Sequence, residues 1–119
     1  MNKINNVERD PKNYMQNHVH EFEGSTHLAE ECEDRHNHRF AGVTNQVIST
    51  GKELHVHRFS TNTDTFQDHN HIVNGTTGIN IKVGDNKHVH YIDSFTTIAD
   101  KHRHEFEFST LIGPSPITK

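Results

Sequence analysis

The chain has no tryptophan, one cysteine and three prolines, and only 29% of its 119 residues are hydrophobic. Each shortage excludes something. A single cysteine, Cys32, leaves no internal disulfide framework; a bridge to a second chain stays open to it, and a plain thiol is the simpler reading. No apolar run approaches the length of a membrane span. The opening Met-Asn-Lys-Ile-Asn-Asn lacks the apolar core of a secretory signal. The cytoplasm is therefore the default location, and surface or extracellular assembly would need a route that uses no such signal. Basic residues are scattered singly in a chain of formal net charge −4, so no positive stripe exists for nucleic acid, which we discount as a partner. A core built from so little apolar surface is marginal at this length, and the composition leans towards disorder.

Histidine is what the chain has in excess. Thirteen are present, and twelve fall into six copies of His-x-His-x-apolar. The copies are His18/His20/Phe22, His36/His38/Phe40, His55/His57/Phe59, His69/His71/Val73, His88/His90/Ile92 and His102/His104/Phe106. Only His27 stands outside. Shuffling this composition would give roughly one His-x-His pair by chance, so the pattern is built by repetition. Alternate side chains of a strand share a face, so each copy is a two-point imidazole clamp followed by an apolar plug. One such strand would be read most simply as a polar edge. Six with an apolar residue at the same offset point to metal ligation.

The clamps obey a period. His36, His69 and His102 are 33 residues apart, while His18, His55 and His88 are separated by 37 and then 33. The difference is a four-residue insertion within Gly24–Asp34, and that insertion is expected to carry both His27 and Cys32. Gly42 and Gly75, and likewise Gly51 and Gly84, hold the same register and mark turns. The chain thus divides into a polar arm (1–16), a threefold β-repeat (17–112) and a tail (113–119). The fold class is all-β, with three strands per unit: Leu54–Phe59, Asp68–Val73 and Ile79–Val83 in the middle one, Gln46–Ser49 for the third strand of the first, and Glu105–Ile112 in the last. Thr26–Glu33 is the one stretch suited to a helical turn. First clamps enclose Val19, Val56 and Val89, and second clamps enclose Asn37, Asn70 and Arg103, which separates two sites of different burial.

Coordination arithmetic bounds the chemistry. Two clamps per ion give tetrahedral zinc and up to three ions per chain. Three clamps per ion give six nitrogens, an octahedral site and about two ions per chain, and the threefold repeat favours this. One site would take His18, His20, His55, His57, His88 and His90, and the other His36, His38, His69, His71, His102 and His104. Fe, Zn, Ni and Co all suit imidazole, so ligand type leaves the metal open. Asp34, Asp68 and Asp100, just before second clamps, are placed either to orient ring N–H groups or simply to make turns. Six protein nitrogens leave no open position for substrate, which argues against an enzyme; a cupin-like metalloenzyme would also need a glutamate that does not follow His57 at the required distance. Metal would supply what the core lacks, since a structural site contributes on the order of 10 kcal/mol.

The run His55-Val56-His57-Arg58-Phe59 followed by Asp68-His69-Asn70-His71, repeated at 33 residues, resembles the YmaF-like family of small histidine-rich bacterial proteins over roughly residues 17–112. That resemblance implies the repeat and the metal reading without implying a role. The clamps also resemble, locally, the His-x-His strands of phage tail-fibre and spike tips, where three chains surround iron. Three arrangements therefore stand at this point: a pseudo-threefold monomer, a trimeric fibre and a β-solenoid. The expected function is a structural or assembly protein stapled by metal, a homo-oligomer (trimer or filament) joined through residues 1–16; the alternative is a metal buffer or store.

Overall fold

The structure, a computed structural model, describes residues 17–114. Ten short strands and a single 3-10 turn at Cys32–Asp34 make up its regular structure. In chain order the strands are β1 (Glu21–Ser25), β2 (Arg39–Val43), β3 (Val47–Gly51), β4 (Leu54–Asn62), β5 (Ile72–Thr76), β6 (Ile81–Gly84), β7 (Lys87–Val89), β8 (Tyr91–Phe95), β9 (Glu105–Ser109) and β10 (Gly113–Pro114). All pairings are antiparallel: β1 with β2, β4 with β3 and β5, β7 with β6 and β10, and β8 with β9.

Three of these pairs carry the core. In β1–β2 the register sets Phe22 opposite Gly42 and Gly24 opposite Phe40. In β4–β5 it sets Phe59 opposite Gly75 and Thr61 opposite Val73. In β8–β9 Phe106 faces Ser94, and Phe108 faces Ile92. Phe22, Phe40, Phe59 and Phe106 thus each meet a glycine or serine on the neighbouring strand, and the rings lie across it instead of colliding. Phe22, Phe40, Phe59, Val73, Phe106 and Phe108 form the buried cluster, with Ile92 packed against it. Phe22 stacks on Phe108 with ring centroids 4.6 Å apart, which closes the centre.

Backbone hydrogen bonds join each hairpin to the next. Asn45 N–H donates to Arg58 O and Asp64 N–H to Arg39 O; Gly78 N–H donates to Tyr91 O and Thr97 N–H to Ile72 O. The last hairpin is tied to the first by Leu111 N–H to Glu21 O and His27 N–H to Glu105 O.

The structure corrects the expected strand limits. Only His55, His57 and His88 lie inside strands; the other clamps immediately precede a strand or fall between two, and the second strand of the middle unit begins at Ile72 instead of Asp68. The expected last strand ends at Ser109, and Gly113 and Pro114, assigned to the tail, pair with His88 and Lys87. Neither Gly42 nor Gly75 lies in a turn: Gly42 sits within a strand under the Phe22 ring, which leaves no room for a Cβ, and Gly75 sits within a strand opposite Phe59 at φ +153°. Gly51 does bend a hairpin, at a register shift with φ +102°. The helical turn falls at Cys32–Asp34, at the edge of the expected stretch. The isolated bridges Ala29–His36, Phe66–His69 and Ala99–His102 place the insertion after Ala29, so His27 lies outside it. The arm 1–16 and tail residues 115–119 lie outside the described residues.

Candidate metal centres

Each hairpin runs antiparallel with one clamp at either end, so the core lies between two sets of imidazoles. Those sets are His18, His20, His55, His57, His88 and His90 at one end, and His36, His38, His69, His71, His102 and His104 at the other. In each set one ligand atom per histidine lies within 4.8 Å of every other. The structure brings together all twelve expected residues, three clamps to a set and every clamp from one chain. The tetrahedral alternative, two clamps per ion, does not match this grouping.

Ring contacts give the shape. In the first set, centroids 4.5–5.1 Å apart link every pair except His18/His90, His20/His55 and His57/His88 among the described residues. In the second set, centroids 4.8–5.1 Å apart link every pair except His36/His71, His38/His102 and His69/His104. Six points, each adjacent to all but one of the others, are the vertices of an octahedron. The first histidines of the three clamps make one triangular face, and the second histidines make the opposite face, against the phenylalanines. Neighbouring Nε2 atoms stand 3.0–3.3 Å apart. An octahedron with those edges has a centre roughly 2.1–2.3 Å from each nitrogen, close to the roughly 2.0–2.1 Å of a zinc–imidazole bond.

The tautomers follow from what the other ring nitrogen meets. Nδ1 of His20, His57 and His90 lies 2.8–3.0 Å from the carbonyls of Leu111, Asn45 and Gly78. Nδ1 of His38, His71 and His104 lies 2.8–2.9 Å from the carbonyls of Asp64, Thr97 and His27. A carbonyl only accepts, so Nδ1 carries the proton, and in a neutral ring Nε2 is then a bare lone pair. His36 and His102 are set the same way by the carbonyls of Asp34 and Asp100. Main-chain oxygens thus do most of the orienting that the sequence suggested for aspartate side chains; Asp68 is simply exposed. Inward-facing lone pairs cannot hydrogen-bond to one another. Nε2 of His38, His57 and His71 is buried with no hydrogen-bond partner. Burial, reinforced by the neighbouring imidazoles, pushes His55 and His88 down to about 3 and His57, His90 and His104 down to about 4. His20, His69 and His71 move down for the same reason.

Six buried threonines escaped the sequence reading. The Oγ1 atoms of Thr44, Thr26, Thr77, Thr63, Thr110 and Thr96 accept the backbone N–H of His20, His38, His57, His71, His90 and His104 at 2.9–3.1 Å. Each threonine N–H donates in return to the carbonyl of the same histidine. The hydroxyls of Thr44, Thr63, Thr77 and Thr96 also donate to the next carbonyl, the one that receives a clamp Nδ1–H. The signal was present: every clamp has a threonine six residues after its second histidine, so the full motif is His-x-His-x-apolar-x-x-x-Thr.

Site and fold together define a small all-β chain with two buried six-histidine groups able to hold metal ions, and no helix among the described residues is long and apolar enough to cross a membrane. A family model described as "Spore germination protein GerY/YamF" matches residues 15–112, and the chain belongs to that YmaF family. No curated protein and no solved structure matches, so the likeness to phage fibre tips has no support beyond the clamps themselves.

Proposed function

We propose that the protein is a non-enzymatic metal-binding structural protein in which each six-histidine group holds one transition-metal ion in octahedral coordination and the ions staple a pseudo-threefold ring of hairpins. The observation that carries this reading is the convergence of bare Nε2 lone pairs at 3.0–3.3 Å in a buried space, which only a cation satisfies. Six nitrogens suit Fe, Ni or Co better than zinc, whose structural sites are almost always tetrahedral. Saturated coordination leaves no position for a substrate, which supports a structural role over catalysis. The family's description supports placing that role in spore germination. Assembly into a homo-oligomer through residues 1–16 remains part of the proposal, with exposed strand edges as the surface they would extend.

A second reading, metal store or buffer, draws on the cavity that opens over the second group. Elemental analysis of protein from its native source tests the first: we expect two ions per chain, kept in His27→Ala and reduced in His57→Ala. No bound transition metal would overturn the metal reading. A stripped protein with unchanged β signal and melting curve would favour the store.

A further inference from the structure

The two groups differ on their outer faces. Over the first, the Asn80 side chain accepts the His55 backbone N–H at 2.9 Å, and β10 pairs with β7 at His88. A cavity of about 290 Å³ beside this group reaches one of its rings, His55, and its charged lining is one carboxylate, Glu53, against one ammonium, Lys52. Over the second, the outer face of His36, His69 and His102 is rimmed by the Phe66–His69 and Ala99–His102 turns and the Ala29–His36 loop. Above it opens a cavity of about 260 Å³ whose lining includes Glu30, Asp34, Asp100 and Lys101, three carboxylates against one ammonium. Two of the carboxylates address ligand rings directly. Glu30 Oε2 is 3.3 Å from His102 Nδ1, and Asp100 Oδ2 is 3.6 Å from His69 Nδ1. That His69 nitrogen is buried without a hydrogen bond, and the His69 side chain is only 8% exposed.

We propose that the second group is an exchangeable centre, loaded and emptied with a divalent transition-metal cation through this carboxylate-lined cleft, while the first group releases its ion at least about 10-fold more slowly. The inference rests on the metal reading above. A cleft of net negative charge focuses the field and raises the local concentration of cations, by about 10- to 1000-fold where one sign lines it throughout. Glu30, Asp34 and Asp100 supply hard oxygen ligands that replace water on an arriving ion before the imidazoles take it.

The test mixes native protein, its metal content first established, with an excess of chromophoric chelator at neutral pH and follows ion release. Expected are two phases of one ion each, separated by at least about 10-fold in rate. His102→Ala removes the fast phase and leaves the slow one, and Glu30→Gln combined with Asp100→Asn changes the fast rate by about 10-fold or more while the slow rate stays put. A single phase, a fast phase that survives His102→Ala, or a double variant with native kinetics would overturn the proposal. Native protein with no ion would instead defeat the metal reading, before any kinetics are run.

Discussion

A threonine hydroxyl at each hairpin end does what a longer strand would do. The backbone N–H of each second clamp histidine is buried, and Oγ1 is its acceptor. Thr77→Val keeps the shape and deletes the acceptor, leaving the His57 N–H unsatisfied at a cost of about 1–3 kcal/mol. Thr50→Val, on an exposed position, should stay within about 0.5 kcal/mol of the parent, and thermal melting of both variants measures the difference. At the same scale, the depressed histidines set the response to acid. His55 and His88 sit at about 3, and His57, His90 and His104 at about 4, against about 6.5 in the unfolded chain. The unfolded state therefore binds more protons throughout that interval. The stability contributed by these neutral rings is fully present above about pH 6.5 and drains away as pH falls towards 4 and 3. Denaturant titrations at pH 7, 5.5 and 4.5 should show a falling midpoint, and a flat profile would contradict the burial of these rings.

At the scale of the hairpin, glycine and phenylalanine are complementary parts. A Cβ on Gly42 would lie 2.8 Å from Phe22 Cζ and 3.2 Å from Thr61 Cβ, and Phe22 is held by its stack on Phe108. Gly42→Ala should therefore cost about 1–3 kcal/mol by overpacking. Gly51→Ala meets no atom, yet its φ of +102° should cost on the order of 1–2 kcal/mol, an effect of backbone alone. Urea midpoints for the two variants compare the mechanisms. The clamps and their pairing into sets of six were legible because His-x-His at fixed intervals needs only the strand period to be read. Where the strands begin was not legible, since Thr63 terminates the ladder at His71 by a side-chain bond that propensity does not encode. The roles of Gly42 and Gly75 were misread for a related reason. A glycine at fixed offset looks like a turn until the register sets it opposite Phe22 or Phe59. The orienting groups were hidden because carbonyls belong to every residue, and only the fold selects Asn45, Gly78 and Leu111.

For the whole molecule, the apolar core is too small to act alone. Among the described residues the buried apolar cluster is six side chains, five phenylalanines and Val73, lying between twelve imidazoles. Chelation should consequently lower the melting temperature by tens of degrees or abolish the transition, and readdition of metal should restore it. Deleting residues 1–16 should abolish self-association without changing metal content, as read by light scattering and elemental analysis. A full-length monomer would refute that surface.

The six clamps alternate along the chain, first set, second set, first set, and so on. Two cross-links that interleave in this way cannot be undone one loop at a time, because a segment freed from one ion is still threaded through the other. With both ions in place the chain's continuity becomes redundant. Lys52, exposed in the turn between β3 and β4, offers trypsin a cut that separates residues 1–52 from 53–119. Each fragment retains part of both sets: His18 and His20 with His36 and His38 on one side, the remaining clamps on the other. The nicked protein should elute as a single particle in gel filtration and fall into two pieces only when chelator is added.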